Sequence, residues 1–118
     1  MGESILTEKK GRQSMSDFRT ITPDELKDKL NKGEKLNLID VREHEEVAEG
    51  MIEQAKHIPM GEIPDSLDQL DKNKEYIMIC RSGGRSGRVC EYLHQNGYKV
   101  INMEGGMLNW TGETKPKL

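Results

Sequence analysis

The sequence predicts an α/β fold, with a doubly wound and mainly parallel central sheet that carries helices on both faces. Its apolar stretches have the length of buried strands and lie at 36–41, 76–80 and 99–103. Helical patterns lie between and after them, at 43–49, 66–70 and 86–95. Because strands that alternate with helices pair in parallel, this order indicates one sheet that is covered on both sides.

The chain enters this fold through a short strand at 18–21 and a clearly marked helix start. Thr22 is the predicted N-cap, Pro23 occupies the first helical position, and Glu25 completes a capping box. Gly33 then ends the predicted helix, since glycine readily adopts the left-handed conformation that follows a helix.

Length and composition limit the organisation and the class of partner. The 118 residues suffice for one domain, which we assign as a flexible leader (1–17), the domain itself (18–112) and a C-terminal tail (113–118). The net charge of −3, without clustered basic residues, argues against nucleic acid. No stretch reaches the roughly 18 apolar residues of a membrane span, and the leader lacks the apolar core of a secretion signal. We therefore expect a cytoplasmic protein without a nucleic-acid or membrane partner.

The two cysteines, Cys80 and Cys90, are interpreted separately. They do not form a C-x-x-C pair, and the three histidines form no ligand motif, so we expect no disulfide, metal or other cofactor. Cys90 lies beside Val89 and Leu93 in a predicted helix, which is typical of a core residue. The alternative, that Cys90 is a resolving partner for Cys80, stays open.

The residues that carry chemistry form one loop between the most apolar strand and a helix, Cys80-Arg81-Ser82-Gly83-Gly84-Arg85-Ser86. Open α/β sheets bind ligands at the carboxyl ends of strands and at helix N-termini, where this loop lies. Gly83 and Gly84 allow backbone N–H groups to turn inward as an anion-binding nest. With the charges of Arg81 and Arg85, these donors are expected to lower the pKa of Cys80 and to bind an anion. The loop therefore predicts a reactive thiolate.

With these residues the chain resembles the rhodanese family, over about residues 19–110. The shared motifs, in order, are Leu38-Ile39-Asp40-Val41-Arg42, Glu45-Glu46 leading to Gly50-Met51-Ile52, His57-Ile58-Pro59, the loop 80–86, and Gly105-Gly106-Met107-Leu108-Asn109-Trp110. Several ordered motifs at compatible spacing are far more specific than the loop alone.

The resemblance implies a rhodanese-like fold and a sulfurtransferase activity. The Cys80 thiolate would take the outer sulfur of a small anionic donor such as thiosulfate, or of a persulfide donor. It would hold that sulfur as a persulfide and pass it to a thiol or protein acceptor, with no cofactor. The rest of the loop would bind the donor, through Arg81, Ser82, Gly83, Gly84, Arg85 and Ser86.

Asp40 ends a second predicted strand and should lie at the same edge of the sheet as Cys80. We expect an ion pair between Asp40 and Arg42, to which the resemblance assigns a supporting role beside the loop. The charged stretch 42–46 is otherwise interpreted as a solvated helix face.

Three other functions are weighed against sulfur transfer to a small acceptor. A cysteine phosphatase or arsenate reductase on the same scaffold would need a loop one residue longer, whereas four residues separate Cys80 from Arg85 here. A non-catalytic interaction module is disfavoured because the cysteine and both arginines are present. A persulfide relay that serves a biosynthetic protein uses the same chemistry, so the sequence leaves it open.

Overall fold

The computed structural model describes residues 18–117, so the predicted leader at 1–17 lies outside the described residues. The strands are β1 (Arg19–Ile21), β2 (Asn37–Asp40), β3 (Ala55–His57), β4 (Glu75–Ile79) and β5 (Lys99–Met103). The α-helices are α1 (Pro23–Asn31), α2 (His44–Glu49) and α3 (Gly84–Gln95). Short 3₁₀ helices lie at Met60–Glu62, Pro64–Gln69 and Gly106–Asn109.

The strands form one parallel sheet in the order β1-β5-β4-β2-β3, which confirms the predicted doubly wound α/β fold. Strand β4 is the central strand, and this explains its continuous apolar run. Asp40 pairs in register with Ile79, the last residue of β4. The predicted juxtaposition of Asp40 and Cys80 at one edge is therefore present.

Side-chain alternation along β4 decides which face receives the cysteine. Tyr76, Met78 and Cys80 belong to the core cluster beneath α3. The alternate residues, Ile77 and Ile79, belong to a second cluster beneath α1 and the last 3₁₀ helix. Successive strand residues point to opposite faces of the sheet, so Cys80 lies on the same face as Tyr76 and Met78. This face is covered by α3, and Cys80 points towards the beginning of that helix.

The predicted helix start at Thr22 is confirmed. The Thr22 hydroxyl accepts the N–H of Glu25 at 3.1 Å, and the Glu25 carboxylate accepts the N–H of Thr22 at 2.9 Å. Gly33 follows the end of α1 with a φ of +80°, as expected of a helix stop.

Other boundaries differ from the predictions. The sequence analysis missed β3, because this partly exposed edge strand of three residues carries no apolar run. The predicted helix at 66–70 is instead the 3₁₀ helix at 64–69, in which hydrogen bonds join residues three apart, as from the N–H of Leu70 to the carbonyl of Leu67. Helix α3 begins at Gly84 rather than 86, so Gly83 becomes its N-cap.

Gly106 holds the end of β4 against the segment that follows β5. The N–H of Met107 donates to the carbonyl of Cys80 at 2.8 Å, and that of Leu108 donates to the carbonyl of Arg81 at 2.9 Å. Gly106 has a φ of +60°, and a Cβ built there would lie 2.4 Å from the Arg81 oxygen. Only glycine allows the two segments to approach this closely.

We predict that Gly106→Ala lowers the free energy of unfolding by about 2 kcal/mol or more, because left-handed backbone costs a non-glycine residue about 1–2 kcal/mol and steric overlap adds to it. Urea unfolding provides the measurement. Gly61→Ala is the control, since a Cβ there meets nothing within 4 Å. Equal losses in the two variants would contradict this account of Gly106.

Candidate active site

The Cys80 sulfur lies at the end of β4 and is surrounded by hydrogen-bond donors. The residue is fully buried. Its Sγ accepts the backbone N–H of Gly83 at 3.0 Å and the hydroxyl of Ser86 at 3.3 Å. The backbone N–H groups of Ser82 and Ser86 also act on the sulfur. The loop therefore forms a compact cradle around one sulfur atom.

Of the two loop glycines, Gly83 creates this geometry. It is the N-cap of α3, with a φ of +100° and a ψ of −12°, and this left-handed conformation turns its N–H towards the sulfur. Gly84 is already the first helical residue and has no positive φ. Of the two loop glycines, Gly83 alone therefore has the left-handed backbone, and the role of Gly84 in an anion-binding nest stays a prediction.

The donors decide the protonation of the thiol. Burial raises the pKa of Cys80, but the Ser86 hydroxyl and the backbone N–H groups of Ser86, Gly83 and Ser82 together outweigh it. The pKa of Cys80 is therefore lowered below its ordinary value. The direction agrees with the sequence expectation, but its main causes are hydrogen bonds within the loop rather than the arginines.

Asn102 on β5 is a site residue that the sequence analysis missed. Its Nδ2 donates to the carbonyl of Gly83 at 3.2 Å, and its Oδ1 accepts the hydroxyl of Ser86 at 2.5 Å. Asn102 thus binds both of the residues that donate to the Cys80 sulfur. The sequence signal is one polar residue, Asn102, within the predicted buried strand 99–103. Its position opposite Met78, on the strand face beneath α3, comes from the structure.

The Ser86 hydroxyl has two acceptors within reach but only one hydrogen. The bond from Asn102 Nδ2 to Gly83 fixes the orientation of the amide, so its Oδ1 must face Ser86. The hydroxyl can therefore donate either to Asn102 or to the Cys80 sulfur. A negative charge on the sulfur favours the second arrangement, since hydrogen bonds to ionised acceptors are stronger.

The two loop arginines differ in their surroundings. Arg81 is exposed. Arg85 forms two hydrogen bonds of 2.8 Å to the carboxylate of Glu46, one from each terminal nitrogen. The hydrogen bonds from Arg85 are the main reason that the pKa of Glu46 falls to about 2. The interpretation of 42–46 as a solvated helix face is therefore wrong for Glu46.

That interpretation is also wrong for Arg42, which is buried and forms the predicted ion pair with Asp40. Its Nη2 lies 2.8 Å from Asp40 Oδ2 and donates to the carbonyl of Gly50, also at 2.8 Å. Within the described residues, neither side chain hydrogen-bonds to the loop at 80–86. The pair instead fixes both ends of α2, the helix that carries Glu46.

Cys90 lies in the core cluster beneath α3 and is not disulfide-bonded. Burial, with a smaller contribution from the charge on Cys80, raises the pKa of Cys90 to about 12. Cys90 is thus a buried neutral thiol, as expected of a core residue.

A parallel α/β domain, with a cysteine of lowered pKa in the loop before a helix, defines the class of this protein. Residues 22–113 match the rhodanese-like domain, and the chain belongs to that family. It is similar to the Bacillus subtilis protein named "Putative sulfurtransferase YtwF", with 58% identity over 86% of this chain and 98% of the relative.

Two further comparisons agree with this assignment. The Bacillus subtilis "Putative sulfur carrier protein YrkF" is 38% identical over 87% of this chain and 56% of its own length. The crystal structure of a rhodanese-like domain protein from Staphylococcus aureus matches with a TM-score of 0.79 and 45% identity, covering 86% of this chain and all of that chain. The relatives support a role in sulfur transfer and a transferase of the rhodanese kind.

Among residues 18–117, no helix is long and apolar enough to cross a membrane.

We predict that Ser86→Ala raises the pKa of Cys80, because it removes the strongest of the interactions that lower it. Loss of thiolate ultraviolet absorbance on acidification would then begin at higher pH than in the wild type. Cys90 does not interfere, since its pKa is about 12. Ser82→Ala is the matched control, because Ser82 acts on the sulfur through its backbone N–H. Indistinguishable titrations of the two variants would contradict the role given to the Ser86 hydroxyl.

Proposed function

We propose that this protein is a sulfurtransferase that carries sulfane sulfur as a persulfide on Cys80. The donor is thiosulfate or a persulfide, and the acceptor is a small thiol or a protein thiol. The observation that carries the proposal is the cradle of N–H and O–H donors around the Cys80 sulfur. Free Cys80 and Cys90 thiols are compatible with a reducing compartment, and we propose that the protein is cytoplasmic.

In the first half-reaction the Cys80 thiolate attacks the outer sulfur of the donor. A bond forms between the two sulfurs, the donor's own bond to that sulfur breaks, and its electron pair leaves with sulfite or with a thiolate. The lowered pKa of Cys80 increases the fraction of thiolate available for this attack. No oxidant or metal is required, because the outer sulfur of the donor already has the oxidation state that it keeps in the Cys80 persulfide.

In the second half-reaction the acceptor attacks the outer sulfur of the persulfide, and the Cys80 sulfur is the leaving group. The bond between the two sulfurs breaks, and its electron pair returns to Sγ as a thiolate. The N–H of Gly83 and the hydroxyl of Ser86 already lie within hydrogen-bonding distance of that atom. They therefore stabilise the charge as it develops, in the manner of an oxyanion hole.

The size of the cradle supports sulfur over phosphate as the transferred group. Four residues lie between Cys80 and Arg85, one fewer than in the phosphatase pattern. The inward N–H groups converge on Sγ itself, where a persulfide adds one atom about 2 Å further out. A tetrahedral phosphate would also need Arg85, which is already bound to Glu46.

A persulfide relay between proteins is a second candidate, favoured by the similarity to a protein named as a sulfur carrier. It uses the same Cys80 persulfide and differs only in the acceptor. Relative rates of release to cyanide, to a small thiol and to protein thiols would distinguish the two candidates.

We predict that intact-mass analysis will show one added sulfur after exposure to thiosulfate or glutathione persulfide, and that cyanide will remove it. Cys80→Ser should abolish the adduct because it removes the nucleophile. Cys90→Ser, a matched change in the buried neutral thiol, should retain loading within a few-fold. A folded wild-type protein that loads with neither donor, or a Cys80→Ser variant that still loads, would overturn the proposal.

A further inference from the structure

We propose that Glu46 is a specificity-determining residue: by neutralising Arg85 it makes the site select a donor whose reacting end carries at most one negative charge, an organic persulfide, over the thiosulfate dianion. The inference rests on the proposed function and chooses between its two classes of donor. It differs from the sequence-based expectation that Arg81 and Arg85 together bind an anionic donor such as thiosulfate.

The ion pair between Glu46 and Arg85 is well formed and partly shielded from water. Both bonds measure 2.8 Å, and the side chains of Arg85 and Glu46 retain 32% and 24% of their accessible surface. Parallel bonds between a guanidinium and a carboxylate are the strongest arrangement that this pair of groups can adopt. Arg85 therefore presents little net charge to a donor.

Glu46 is also held in place from its own side. Its Oε1 accepts the N–H of Glu43 at 2.9 Å within the capping box of α2. The ion pair of Asp40 with Arg42 fixes the residues just before that helix. An arriving anion would have to displace both hydrogen bonds of Arg85 to free it from this carboxylate.

The wider surroundings of Arg85 add negative charge. The exposed carboxylate of Glu43 also lies near enough to Arg85 to interact with its charge. With a pKa of about 2, Glu46 stays ionised at any pH suitable for assay. The carboxylates of Glu43 and Glu46 thus both act on the guanidinium of Arg85. Within residues 18–117, the exposed Arg81 is the loop arginine that forms no ion pair. The two carboxylates oppose the binding of a dianion more strongly than that of a monoanion, since Coulomb energy scales with charge.

The discriminating variant is Glu46→Gln, assayed with thiosulfate and with glutathione persulfide as donors. The amide retains the size and shape of the side chain but not its charge, which frees the charge of Arg85. We expect kcat/KM for thiosulfate to rise by roughly tenfold, mostly through KM, because removing one nearby charge acts twice as strongly on a dianion. With glutathione persulfide the change should be less than about threefold.

Glu45→Gln is the matched control, because Glu45 lies one position away on the same helix and is exposed. It makes the same change in net charge and should leave the donor ratio as in the wild type. A salt titration of the wild type tests the idea without any substitution. If the charge of Arg85 is neutralised by Glu46, little electrostatic attraction of thiosulfate is left for salt to screen. KM for thiosulfate should then not rise with ionic strength.

The outcomes separate the two proposals. A Glu46→Gln variant that loads with glutathione persulfide but gains nothing with thiosulfate would overturn the role of Glu46. The same holds if Glu45→Gln shifts the donor ratio equally, or if wild-type KM for thiosulfate rises steeply with salt. Failure of the wild type to load Cys80 with either donor would instead overturn the proposed function, and this inference with it.

Discussion

The structure depends on one constraint, which is that the buried sulfur of Cys80 needs hydrogen-bond donors if it is to carry negative charge. A buried charge is costly unless hydrogen bonds replace the water that solvated it. Here the replacement comes from the backbone of the loop and from one hydroxyl, all converging on Cys80. The left-handed conformation of Gly83, the start of α3 and the close approach of Gly106 all serve this arrangement.

The contrast between the two cysteines shows that burial alone does not make a nucleophile. Cys80 and Cys90 are both fully buried, and burial acts in the same direction on both. At Cys90 nothing opposes it, so the pKa rises to about 12. At Cys80 the hydrogen-bond donors prevail and the pKa falls. The difference is one of position, since Cys80 ends a strand at a helix N-terminus and Cys90 lies within the helix.

Around the cradle lies a second layer of paired charges. Asp40 is paired with Arg42, and Glu46 is paired with Arg85. Each pair largely neutralises the charges of its two side chains. This layer holds α2 against the loop and also removes much of the positive field that a count of arginines would suggest. In the proposed function, hydrogen-bond donors close to the sulfur would stabilise the thiolate, while the paired side chains would determine which sulfur donors approach. Activation and selection would then be carried by different residues of the same site.

The sequence by itself determined the features that depend on local pattern. Alternating apolar and helical stretches indicated the fold class, and the capping box located the start of α1. A cysteine between an apolar strand and a glycine-rich turn marked the nucleophile, and the flanking motifs indicated the family. Each of these signals lies within a few residues of the feature that it predicts, so no knowledge of distant contacts was needed.

Tertiary structure alone decided the contacts between distant segments. Asn102 reaches the loop from β5 and Glu46 reaches it from α2, and neither residue carries a local signal that names its partner. The edge strand β3 likewise exists because β2 pairs with it, not because its own residues favour a strand. A count of charged residues could not reveal that Arg85 is paired, because its partner Glu46 is distant in the sequence and is brought close only by folding. The sequence thus located the candidate nucleophile, whereas the packing of distant segments determined the environment of its sulfur atom.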